Sequence, residues 1–168
     1  MSRELLLLRH GKSDWDTDTS DFERPLKKRG KKGALCAGRW LSNHELVPDL
    51  VISSPAARAI RTARVACKVM GLKRSRILTD DHVYLASTEE LIDVLRDCPE
   101  KARIMLVGHN PGLEELLLYL VGGDLVVPDD GKLLPTASIA VLKMPDSWRK
   151  LGKGCARLLL LTRPAEMA

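Results

Sequence analysis

Aromatic residues are scarce: three Trp, two Tyr and one Phe in 168 residues. Few rings remain for stacking on bases, so nucleic-acid binding is not expected despite a net charge of +5. Cysteine is sparse as well. Cys36, Cys67, Cys98 and Cys155 form no C-x-x-C pair, which argues against a zinc site or a dithiol redox motif. At 18.6 kDa the chain can bury a full core without disulfide staples or a structural metal. Reduced thiols in the cytoplasm are the expectation. The longest apolar run, Leu116–Val121, falls well short of the ~20 residues that span a bilayer. Leu5–Leu8 runs straight into Arg9 and His10, unlike a signal-peptide core. No Pro/Gly/Ser-rich linker or low-complexity stretch divides the sequence. One domain over residues 1–168 is expected, with no membrane segment. No exposed apolar stripe stands out, so a monomer is the default.

Short apolar runs alternate with helix-like stretches. Leu5–Leu8, Leu50–Ile52, Arg76–Leu78, Ile104–Val107, Ser138–Leu142 and Ala156–Leu161 read as buried strands. Between them, helices are predicted at about 28–43, 55–70, 88–96 and 111–121. Ser53-Ser54-Pro55 and Asn110-Pro111 read as helix starts, each a capping residue followed by proline at the first helical position. The pattern predicts a three-layer α/β/α fold, with a mostly parallel central sheet and helices on both faces. The segment 122–135 reads as a long surface loop. Lys27, Lys28, Arg29, Lys31 and Lys32 crowd the start of the first helix. A solvated helix start is the plainer account of that cluster; steering of an anionic partner is the functional alternative.

In open α/β sheets, ligands bind beyond the carboxyl ends of the strands, near helix N-termini that favour anions. The residues following the apolar runs are therefore the informative ones: Arg9-His10-Gly11-Lys12, Ser53-Ser54-Pro55-Ala56-Ala57-Arg58 and Gly108-His109-Asn110-Pro111-Gly112. Arginines bind phosphate oxygens through paired charge-assisted hydrogen bonds. A histidine presented to phosphorus can act as nucleophile, its pKa depressed by cationic neighbours. A second histidine, if protonated, would stabilise charge on the transferring oxygens. Taken singly, each has a plainer reading: a turn, a surface arginine, a capping histidine. Together, at strand ends in one short chain, they describe an anion pocket with a nucleophile in it.

Leu5–Ser13, Arg24-Pro25-Leu26 with Gly30, Ser53–Ala59 with Thr62, and Val107–Gly112 resemble the motifs of the histidine phosphatase superfamily, the RHG phosphatases. The resemblance covers roughly residues 4–161 and is nearest to the SixA-type phosphohistidine phosphatases. It implies that His10 is the phosphorylated nucleophile and that Arg9 and Arg58 clamp the phosphoryl group. His109 would hydrogen-bond to that group, and Gly11 would take part in phosphate binding. It also implies no metal, no organic cofactor and, as partner, a histidine-phosphorylated protein or another phosphorylated substrate.

One position departs from the pattern. Many superfamily members that act on monoesters carry a glutamate after the third strand as proton donor; here Leu85 stands there. Asp81 and His82 are weak substitutes, with surface or capping roles favoured for both. An alkoxide leaves poorly without an acid, whereas a phosphoramidate nitrogen protonates readily, so the gap suits phosphohistidine. The short chain leaves little room for a lid, which suits a group displayed on a protein surface. His44 reads as structural, and Trp15 as a cleft or packing residue. Two alternatives stay open: a phosphatase of small monoesters or anhydrides on the same machinery, and a phosphate- or phosphoprotein-binding module without turnover.

Overall fold

The computed structural model describes residues 2–123 and 125–167. Ten principal elements follow one another: β1 (Arg3–Arg9), α1 (Lys28–Asn43), β2 (Leu50–Ser53), α2 (Ala57–Val69), β3 (Ile77–Thr79), α3 (Thr88–Arg96), β4 (Arg103–Gly108), α4 (Gly112–Val121), β5 (Ile139–Met144) and β6 (Arg157–Thr162). The strands form one sheet in the order β3-β2-β4-β1-β5-β6. The pairs β1/β4, β2/β4 and β2/β3 are parallel, while β5 runs antiparallel to β1 and β6 to β5. The mostly parallel sheet is thus as expected, closed on one side by an antiparallel pair.

Continuous leucine in β1 reflects burial on both faces, since successive side chains of a strand point to opposite sides. Leu6 and Leu8 pack with Leu41, Ala59, Ala63 and Val107 under α1 and α2. Leu5 and Leu7 pack with Leu91, Leu95, Leu113 and Leu116 under α3 and α4. Trp148 fills the far end of that second layer and donates its indole N–H to the carbonyl of Lys101 at 2.8 Å.

Several boundaries shift from the sequence expectation, for local reasons. Helix α2 starts at Ala57 and its N-cap is Ala56; Ser54 instead accepts from the Ala56 amide at 3.2 Å. Helix α4 is capped by Pro111, and the Asn110 amide donates to Glu114 and to the Leu134 carbonyl, both at 2.8 Å. The segment after α4 is not wholly superficial: Leu133 and Leu134 are buried in the α3/α4 layer. His44 stacks on Trp40, with centroids 4.2 Å apart, and is structural as expected. The four cysteines are free thiols. Among the described residues no helix is long and apolar enough to cross a membrane.

Candidate active site

Strand register brings the two histidines together. β1 and β4 are parallel neighbours in which Arg9 pairs with Gly108, the last residue of each strand. His10 and His109 therefore leave the sheet side by side, their ring centroids 5.1 Å apart. The His10 amide donates to the Gly108 carbonyl at 3.1 Å. On the other flank of β4 lies β2, and Ser54, just past its end, meets His109 Nε2 through its hydroxyl at 2.8 Å. Arg58 enters from the first turn of α2. Arg9, His10, Arg58 and His109 line one open cleft of about 700 Å³, together with Lys12, Ser13, Trp15, Asp21, Arg24, Lys27, Tyr84, Leu85, Asn110 and Thr136.

His10 is buried and its Nδ1 lies 2.6 Å from the Gly11 carbonyl oxygen. A carbonyl only accepts, so Nδ1 carries the proton and Nε2 keeps its lone pair. Burial pushes the His10 pKa down to about 4, with Arg58, Arg9 and Arg24 acting in the same direction against the Gly11 hydrogen bond. Burial, more than the cationic neighbours anticipated from sequence, keeps the ring neutral. His109 is pushed down to about 3 by burial, then by His10 and Arg58. The unliganded protein thus holds His109 neutral, not as the imidazolium considered above. When the Ser54 hydroxyl donates to its Nε2, the ring proton sits on Nδ1, where a phosphoryl oxygen can receive it.

Buried side-chain nitrogens without a hydrogen-bond partner include Arg9 Nε, Arg58 Nε and His109 Nδ1. All three belong to cleft residues, and each unpaired buried donor costs roughly 1–3 kcal/mol. Arg9 is held from behind by donating to the Leu134 carbonyl at 3.0 Å, so the segment after α4 helps aim it.

Gly11, expected at the phosphate, joins the first loop to α1 and α2. Its amide donates to Thr62 Oγ1 at 3.0 Å, and Thr62 in turn donates to the Arg58 carbonyl at 2.7 Å. A Cβ on Gly11 would lie 2.5 Å from the Gly30 carbonyl oxygen, and one on Gly30 would collide with that of Lys12. The two glycines let α1 approach the loop after β1 backbone to backbone.

Sequence reasoning missed Asp21. Its carboxylate accepts from Tyr84 Oη at 2.5 Å, Arg24 at 2.7 Å and Arg58 at 3.1 Å, and its carbonyl accepts from Arg58 at 2.5 Å. The Tyr84 hydrogen bond, followed by those of Arg24 and Arg58, holds the carboxyl well below the usual carboxylate range. Nothing in a polar loop between Asp18 and Glu23 marks one acid over another; only the fold does. Trp15 is 75% exposed and lies under the Arg24 guanidinium, 3.6 Å from its ring centroid, at the cleft rim. Leu85 is 77% exposed with φ of 54° and borders the cleft. Asp81 and His82 do not line it; His82 pairs with Asp80 at 2.9 Å. Among the described residues no three His, Cys, Asp or Glu side chains are grouped to hold a metal ion.

Two arginines and two histidines, His10 protonated on Nδ1, thus converge at the carboxyl edge of the sheet. The model of the histidine phosphatase superfamily (branch 1) matches residues 5–81. An uncharacterised Mycobacterium tuberculosis protein is 30% identical over 158 residues, 90% of this chain and 96% of the relative. The SixA structure from Nakamurella multipartitia superposes with TM-score 0.85 at 25% identity, covering 98% of this chain and 97% of that one. That from Agrobacterium tumefaciens gives 0.82 at 29% identity, covering 98% and 99%. This chain belongs to the histidine phosphatase superfamily, with SixA-like architecture, and its class is that of a phosphatase, a hydrolase acting on phosphoryl groups.

Proposed function

We propose that the protein removes phosphate from phosphohistidine on a protein partner, through a covalent phosphoryl intermediate on His10. What supports this reading is that, among the described residues lining the cleft, no carboxyl group is free to act as an acid. Leu85 lines the cleft, and the resemblance puts the relatives' proton donor at its position. The carboxyl group at the cleft, Asp21, is held ionised by Tyr84, Arg24 and Arg58, so it has no proton to give. A P–O ester would leave as an alkoxide here, whereas an imidazole leaving through P–N takes its proton from solvent. Both SixA neighbours are named for phosphohistidine phosphatase activity, which agrees with this choice.

In the first step the Nε2 lone pair of His10 forms a bond to phosphorus while the bond from phosphorus to the substrate imidazole breaks. Arg9, Arg58 and the His109 Nδ1 proton receive the equatorial oxygens, where charge accumulates. The Gly11 carbonyl holds the Nδ1 proton, which lets the ring accept phosphorus without tautomeric change. In the second step water attacks the phosphorus of phospho-His10. The P–Nε2 bond breaks, inorganic phosphate leaves, and the water proton goes to solvent.

The test compares phosphate release from a histidine-phosphorylated protein with release from p-nitrophenyl phosphate, for wild type and His10→Ala. The expected result is faster phosphohistidine turnover, abolished in the variant, together with an acid-labile phosphoprotein formed only by wild type. A preference for the monoester would overturn the substrate assignment. Turnover surviving in His10→Ala would overturn the nucleophile.

A further inference from the structure

The two helix layers carry opposite charge. Helix α1 holds Lys28, Arg29, Lys31, Lys32 and Arg39 and no acid; α2 holds Arg58, Arg61, Arg64 and Lys68 and no acid. Across the sheet, α3 holds Glu89, Glu90 and Asp93 against Arg96, and α4 holds Glu114 and Glu115 with no cation. Apart from Arg58, every cation of α1 and α2 is exposed. None of these exposed cations takes part in an ion pair among the described residues; the ion pairs lie elsewhere.

This arrangement works against the helices themselves. Lys28, Arg29 and Lys31 occupy the first turn of α1, where the helix dipole favours anions. Arg61, Arg64 and Lys68 repeat at spacings of three and four, which puts like charges beside one another. A merely solvated surface would gain from interspersed acids, and the opposite layer shows that this sequence has them to place. Local rules broken on one face only are what a binding surface leaves behind. The basic layer is also continuous with the cleft. Lys12 and Lys27 line it, α1 begins at the next residue, and Arg58 in the first turn of α2 is its clamp.

We propose that the outward face of α1 and α2 is the docking surface for an acidic protein that presents its phosphohistidine to the cleft. The inference rests on the function proposed above. Charge complementarity fixes the partner's sign. A protein is favoured over nucleic acid because the layer offers no exposed ring for a base: Trp40, the aromatic of these two helices, is buried under α1.

The experiment uses the full chain and the triple variant Arg61→Glu/Arg64→Glu/Lys68→Glu, with the corresponding Gln triple as a milder second variant. Substrates are free phosphohistidine and two proteins phosphorylated on histidine with phosphoramidate: serum albumin (acidic) and histone (basic). Expected are wild-type preference for albumin and a loss of at least ~10-fold in kcat/KM on albumin for the Glu triple at low salt. The Gln triple should fall between, turnover of free phosphohistidine should stay within about 2-fold, and the loss should close at about 0.5 M salt. Undiminished albumin turnover in the Glu triple would overturn the docking surface and leave the proposed function standing. Failure of wild type on all three substrates would overturn both. Duplex DNA bound more tightly than albumin, and released in the Glu triple, would overturn the protein partner in favour of nucleic acid.

Discussion

A carboxylate beside the clamp proposed for Arg58 has the wrong sign for a phosphoryl group, and Asp21 is understood through what it does to Arg58. It ties down both terminal nitrogens of that guanidinium, one through its carbonyl and one through its carboxylate, and leaves Nε without a partner. Arg58 itself is only 5% exposed, so its aim is set by these contacts and not by solvent. Replacing Arg58 with Ala should lower kcat/KM by roughly 10²–10³-fold with the fold intact, the usual cost of one oxyanion donor. Asp21→Ala should lower it less, by misdirecting the clamp. In an Arg58→Ala background the same Asp21 substitution should cost nothing further, because the residue acts through an arginine that is gone. Additive losses in that cycle would give Asp21 a role of its own.

At the scale of elements, Gly30 sets an effect of helix propensity against one of packing. An alanine inside an exposed helix normally gains about 1 kcal/mol over glycine. Here its Cβ would drive into the Lys12 backbone carbonyl, and overpacking against backbone costs roughly 1–3 kcal/mol or more. Packing wins, so Gly30→Ala should lower Tm by roughly 2–8 °C in a thermal melt, where an unopposed propensity gain would raise it. Elements of this kind divide what could be read from sequence from what could not. All six strands and all four helices were legible in place. The edge strands β3 and β6, expected to be buried, are largely exposed, because an edge strand has a neighbour on one side only and its apolar run carries no sign of that. The convergence of Arg9, His10, Arg58 and His109 on one cleft was legible because strand ends gather at one edge of such a sheet. Asp21, Tyr84 and the Ser54 contact were not, since a contact such as that from Tyr84 to Asp21 joins two loops far apart in sequence. The serine and asparagine helix caps were misread for a related reason: both side chains serve the site, Ser54 at His109 and Asn110 at the Leu134 carbonyl, and so are not left to cap a helix.

For the whole molecule, two buried neutral histidines make stability depend on pH. The rings titrate near 6.5 when exposed in the unfolded chain, and near 4 (His10) and 3 (His109) in the native one. Above pH 6.5 both states carry neutral rings and nothing is lost. As pH falls below 6.5 the unfolded chain binds protons that the native chain refuses, and stability declines by up to about 1.4 kcal/mol per pH unit for each ring. His82 acts in the opposite direction, its pKa raised by its hydrogen bond to Asp80, but it is fully exposed. Tm should therefore drop steadily between pH 6.5 and 4 in a thermal melt. A flat or rising profile on acidification would mean that the histidines are not sequestered as described.

The pairing of Arg9 with Gly108 has a consequence for what can be altered in this protein. His10 and His109 follow β1 and β4, neighbours in the interior of the sheet, while other residues that line the cleft sit on connections. Trp15 and Asp21 belong to the segment before α1, Tyr84 and Leu85 to the one before α3. Connections accept insertions and substitutions that interior strands do not. New sequence around Asp16–Ser20, or at the turn holding Leu85, would remodel the entrance while both histidines kept their separation. The entrance is the replaceable part of this architecture, and the pair of histidines is the fixed one.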